Sequence, residues 1–236
     1  MTTLAHIWRT GLLCAALAAS AVAADAPPIH TVFADSIPAT RGNQILLHTH
    51  MYLACLDPDA RQPVWIAYEV NPADMDTGNV LSRNFHTPKP LRRICLEESD
   101  YANSGYEMGH LYGLQFVSAS RFGSEVNNLA VIGAQRKSLN RGPWYDVETR
   151  IRFLSKKGSV RVLAGLLWLE DMPPLPNADE KHRVASHWWI IIQHEDTEVA
   201  YLFPQDAPQT ENAERYVTDA DALRTQISPN WCKGTP

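Results

Sequence analysis

His110 follows a glycine in residues 104–111 (SGYEMGHL), with no cysteine, serine or second histidine beside it. Its chemical partners have to come from elsewhere in the chain. Thirty residues on, Asn140 stands where a cap should open a helix, with Pro143 in the first turn. Asn140, Trp144, Glu148 and Arg152 then recur at four-residue steps, which on a helix keeps an amide, a carboxylate and a guanidinium along one slowly drifting stripe. Near a helix N-terminus such a stripe favours anions. These residue types suit hydrolysis of a phosphodiester. A neutral histidine takes a proton from the attacking water. A hard cation such as Mg²⁺ binds through oxygen and keeps several waters, so one amide oxygen and a phosphate suffice. An arginine answers the charge that develops at the phosphate. His48 and His50 would face the same side of a strand, but with no third ligand in view they read as surface histidines.

The elements that must position these groups follow from pattern. Residues 45–53 (ILLHTHMYL) and 64–70 (VWIAYEV) are apolar and β-branched, and read as strands with turn chemistry at residues 56–59. Residues 71–105 form a polar, turn-rich excursion of the kind that often carries function. A short helix is expected over 118–127 and a longer one over 143–153, then strands at 160–168, 188–193 and 199–203, and a closing amphipathic helix over 212–227. Of Trp188 and Trp189, one ring is expected inward and the other partly exposed. Strands and helices mix without regular alternation, so the expected class is α+β.

A chain of 236 residues with 45% hydrophobic content can bury one sizeable core. Its first 23 residues carry Arg9, the apolar run GLLCAALAASAVA, and small residues at Ala21 and Ala23, the layout of a secretory signal. That run falls short of the roughly 20 residues needed to cross a membrane, and Leu13 before Cys14 argues against lipid attachment. The expected organisation is a signal peptide over 1–23, a lead-in over 24–44, a functional domain over 45–227 and a tail over 228–236. The expected location is the periplasm or the exterior, with no membrane association after cleavage. Without the signal, 20 Lys+Arg face 26 Asp+Glu, a balance of −6 that argues against non-specific coating of nucleic acid. Locally the picture differs: residues 136–161 hold eight basic residues against Asp146 and Glu148, a balance of +6. Such a surface can hold a phosphate backbone, or be the solvated face of a helix. Cys55, Cys95 and Cys232 would form one disulfide in an oxidising compartment, with the pairing open.

Taken together, residues 105–152 resemble the DNA/RNA non-specific endonucleases, whose fold contains a ββα-metal (His-Me) finger. Their Asp-Arg-Gly-His segment is matched at its end by Gly109-His110. Ile132 and Gln135 match part of their Asn-Ile-x-Pro-Gln stretch, and residues 139–148 (LNRGPWYDVE) fit their Leu-Asn-x-Gly-x-Trp pattern through to its glutamate. The resemblance implies an antiparallel sheet core with the finger attached, and a secreted or periplasmic Mg²⁺-dependent endonuclease, Mn²⁺ serving as an alternative ion. It implies His110 as general base, Asn140 as the metal's protein ligand, Glu148 acting through water, and Arg152 at the phosphate. Glu107 stands where the family has aspartate. Met108, which has no charge and no donor, stands where it has arginine. Glu107, Arg141 and Arg150 are the expected substrate-side residues, with Arg141 or Arg150 candidates to supply the missing charge. DNA and RNA are the expected partners, and a homodimer and an inhibitor protein stay open. The alternative is a catalytically impaired member of the fold that binds nucleic acid or protein.

Overall fold

The computed structural model describes residues 42–75 and 81–227; the signal-like segment, most of the lead-in, Cys232 and the tail lie outside the described residues. Among the described residues, seven strands form one antiparallel sheet in the order β1 (Ile45–His48), β2 (Tyr52–Asp57), β3 (Gln62–Val70), β6 (Val160–Leu167), β7 (His187–His194), β8 (Thr197–Pro204) and β9 (Val217–Thr218). A second, two-stranded ribbon pairs β4 (Tyr106–His110) with β5 (Ile132–Arg136). The α-helices among the described residues are, in chain order, α1 (Lys137–Asn140), α2 (Pro143–Ser155) and α3 (Ala220–Ile227). The class is α+β.

The strongest sequence signal becomes the centre of the sheet. Residues 188–192 of β7 (WWIII) are an unbroken apolar run, as expected of a strand covered on both faces. Trp188, Ile190 and Ile192 pack with Trp144, Val147 and Ile151 of α2 on one face. Trp189 and Ile191 pack on the other with Leu223 and Ile227 of α3. Both tryptophans are therefore buried, and neither ring is partly exposed as the sequence suggested of one of them. The expected first strand is in fact a hairpin: the Thr49 hydroxyl accepts from the amides of Met51 and Tyr52, turning the chain between β1 and β2. The expected closing helix is split into a 3₁₀ turn at Ala213–Tyr216, the short β9, and α3. The helix expected over 118–127 is present only as 3₁₀ turn Gly123–Asn127.

β3 and β6 are neighbours in the sheet, yet the whole ribbon with α1 and α2 lies between them in sequence. The ribbon does not join the sheet by strand pairing. Two buried glutamines tie its outer edge instead: Gln62 Oε1 accepts from the Ala134 amide at 2.8 Å, and Gln205 Nε2 donates to the Ala134 carbonyl at 2.8 Å. Backbone groups that would otherwise be orphaned are satisfied this way. Residues 81–105 are held down by a smaller cluster of Leu91, Cys95, Leu96 and Tyr101 against Leu129 and Ile132. Cys95 lies in that cluster and Cys55 in the one under α3, so these two cysteines are not bonded to each other.

Candidate active site

His110 is the last residue of β4, and the glycine before it has a packing reason. Gly109 lies directly across from Gly133 in β5. A Cβ at Gly109 would come within 2.7 Å of the Trp188 ring, and one at Gly133 within 2.7 Å of the same ring. The ribbon thus rests flat on Trp188 only because both contact positions lack side chains. Past His110 the chain is fastened to the sheet, where the Tyr68 hydroxyl donates to the Leu111 carbonyl at 3.1 Å and Tyr68 stacks on Tyr112.

The ring of His110 is oriented by Asn127, which is buried to 1% exposure. Asn127 Nδ2 donates to the Ser82 carbonyl at 2.9 Å, so its Oδ1 is the acceptor facing His110 Nε2 at 3.0 Å. That arrangement puts the proton on Nε2 and leaves Nδ1 with a free lone pair. Burial pushes the His110 pKa down to about 4, helped by the nearby Arg83 cation and opposed by the Asn127 bond. The imidazole is therefore neutral, a base awaiting a proton.

Asn140 was expected to cap the long helix. It instead ends α1, while α2 starts after Gly142 without a capping side chain. Freed from capping, Asn140 Nδ2 donates to Glu107 Oε2 at 2.8 Å, which leaves its amide oxygen for another partner. Glu107 also receives both Nε and Nη2 of Arg141. Burial raises the Glu107 pKa, but Arg141 and Asn140 outweigh it and hold the carboxylate below its usual range. Glu148, one face of α2 further on, accepts from Gln115 Nε2 at 3.0 Å. Desolvation pushes its pKa up to about 7, against the pull of Gln115, Arg83 and Arg152.

These groups border an open cleft of about 880 Å³ whose lining includes Arg83, Glu107, Met108, Gln115, Asn140, Arg141 and Glu148. His110 lies close by, its ring 5.4 Å from that of Phe85, another lining residue. Arg152 is exposed and acts on Glu148 through its charge. Arg150 is directed elsewhere, to Glu214 at 2.7 Å. Met108 packs with the apolar cluster of Leu91, Cys95, Leu96 and Tyr101. Sequence reasoning missed Asn127, Gln115 and Arg83. Residues 82–86 run beside 127–129 through the His86–Asn127 and Leu129–His86 backbone bonds, and this carries Arg83 to the site. Only the length of the excursion hinted at it.

Among the described residues, no three His, Cys, Asp or Glu side chains gather into a metal cage. The donor set of one spare amide oxygen with carboxylates near it fits a hard, largely hydrated cation better than a nitrogen- or sulfur-seeking one. His50 is engaged by Glu125, Nδ1 to Oε1 at 2.6 Å, and stacks on Phe122, so it clasps the β1–β2 turn to residues 122–125.

Comparison with known proteins gives three findings. The family model described as DNA/RNA non-specific endonuclease matches residues 30–236. A nuclease of Serratia marcescens is 26% identical over 185 residues, which is 73% of this chain and 69% of that protein. Among solved structures, a chain from the EndoG/EndoGI complex, described as explaining EndoG inhibition, superposes with a TM-score of 0.73 at 18% identity, covering 86% of this chain and 90% of the other.

Proposed function

Because the chain belongs to the DNA/RNA non-specific endonuclease family, we propose that it is a metal-dependent nuclease, exported to the periplasm or beyond, that hydrolyses phosphodiesters of DNA and RNA with His110 as general base. The observation that carries this reading is the Asn127–His110 bond, which leaves Nδ1 unprotonated and free to accept. In the reaction, Nδ1 takes a proton as a water oxygen bonds to phosphorus, and the bond to the leaving oxygen breaks. That oxygen is then protonated from solvent, and His110 returns its proton to solvent. Arg83, which lines the cleft, and Arg152, whose charge reaches Glu148, would answer the charge that builds on the phosphate.

Mg²⁺, or Mn²⁺ in its place, would be held by the Asn140 amide oxygen and through water by Glu148, and would supply neutralising charge at the phosphate and leaving oxygen. Glu107 serves this arrangement by fixing the Asn140 amide, and Arg141 by fixing Glu107. Arg83 takes the part that the sequence left to Arg141 or Arg150.

The test is degradation of plasmid and RNA by the purified protein, with Mg²⁺ and with EDTA. His110→Ala should lose on the order of 10²–10⁴-fold in kcat, the usual worth of a general base. Asn127→Ala, which frees the ring to turn, should lower kcat by about tenfold or more while moving KM less. Wild type as inert as His110→Ala in every metal would sink the reading. It would favour a binding module, to which Met108 in place of an arginine already points.

A further inference from the structure

The cleft differs from a track for duplex backbone in two ways. Its charged lining is Glu98, Glu107 and Glu148 against Arg83 and Arg141, and Arg141 is committed to Glu107. Double-stranded DNA presents a phosphate about every 1.7 Å, and affinity for it grows with the number of phosphates neutralised. With Arg141 held by Glu107, Arg83 is the other cation of the lining, so a duplex that tracks its backbone through this cleft finds few partners. The second difference is aromatic. Phe85, Tyr106 and Tyr145 line the same cleft, and Met108 supplies an apolar surface where the family resemblance would have an arginine. Tyr145 is 53% exposed. It sits on α2 three residues before Glu148 and four after Arg141, both of which share the cleft.

An aromatic ring held open at the edge of a cleft has a use if the substrate brings a flat apolar partner. Duplex bases cannot provide one without leaving the stack, which costs a few kcal/mol. Unpaired bases can, and each stacked base contributes about 1–3 kcal/mol with little sequence preference.

We propose that this cleft selects single-stranded nucleic acid, with Tyr145 as the platform on which a base beside the scissile phosphate stacks. The proposal rests on the hydrolytic reading above and adds the substrate's strandedness to it. Tyr145 is a specificity residue that touches substrate, and its ring is what matters, so phenylalanine should replace it and alanine should not.

The experiment compares one labelled oligonucleotide alone and annealed to its complement, each cut by wild type, Tyr145→Ala and Tyr145→Phe with Mg²⁺. Wild type is expected to prefer the single strand by about tenfold or more in kcat/KM. Tyr145→Ala should erase most of that ratio, chiefly through a KM raised about tenfold on the single strand. Tyr145→Phe should keep it within about twofold, since the ring face is retained. A wild type that cuts both forms equally, or a Tyr145→Ala protein with an unchanged ratio, overturns the proposal and leaves the nuclease reading standing. If wild type cuts neither form, the hydrolytic reading fails, and fluorescence anisotropy of the same strands decides the rest. Tighter single-strand binding that is lost in Tyr145→Ala supports the platform, and equal binding of both forms or by both proteins overturns it.

Discussion

His110 and Glu148 share one site yet are pushed in opposite directions by the same cause. Burial lowers the His110 pKa from 6.5 to about 4 and raises that of Glu148 from 4.5 to about 7, and in both cases it is the charged form that suffers. The consequences for stability have opposite signs. For Glu148 the folded state holds the extra proton between 4.5 and 7, so stability falls as pH rises through that window. For His110 the unfolded state holds it between 4 and 6.5, so stability falls as pH drops. Glu148→Gln, measured in chelator by denaturant unfolding, should therefore gain on the order of 1–3 kcal/mol at slightly alkaline pH and lose that gain near pH ~4. A gain that does not change with pH would show that the carboxylate is not desolvated. Residues of this kind divide sharply in how legible they are. His110, Asn140 and Glu148 show in the sequence because short, regular spacings mark them, although Asn140 and Glu148 fall on two successive helices and not on one. Asn127, Gln115 and Arg83 reach the site from irregular segments, and only the folded chain brings them there.

At the level of elements, the long apolar strands and α2 were legible because period and run length report burial directly. The ribbon was not. Tyr106–His110 and Ile132–Arg136 show neither alternation nor a β-branched run, and neither was expected as a strand. Their strand character comes from the surface they rest on. Gly109 and Gly133 bring two backbones onto Trp188, which in turn meets Trp144 of α2 edge-on at 5.0 Å. That stack joins the histidine strand, the sheet and the glutamate helix through one ring. Gly133→Ala should overpack this contact at a cost of about 1–3 kcal/mol. In a chain of this size it should lower Tm by roughly 2–12 °C, with activity falling beyond what the folded fraction explains. An unchanged Tm would mean that the ring is free to move aside.

For the molecule as a whole, charge is the property most easily misread from sequence. The basic run over 136–161 looks like a phosphate surface, but Arg141 is paired with Glu107 and Arg150 with Glu214. Lys157 lies over Phe153. Pairing across long sequence separations is invisible to a local count. Fewer phosphates should therefore be neutralised on binding than a count of eight basic residues suggests. With His110→Ala protein in EDTA, log affinity for a single strand against log salt should have a slope no steeper than about −2, since each phosphate contributes roughly −0.7. A slope beyond about −5 would show that the helix surface tracks the backbone after all.

The neighbours β3 and β6 also set a timetable. Val70 pairs with Val160, so the sheet cannot close until the whole site-bearing segment between them exists. At about 5–20 residues added per second, β3 waits roughly 5–20 s on the ribosome for its partner strand. During that interval an edge reading Val64-Trp65-Ile66-Ala67-Tyr68 has β2 on one side only. Such an edge invites pairing with other chains. The chain's most exposed moment comes during its synthesis, and the long insert between β3 and β6 is what prolongs it.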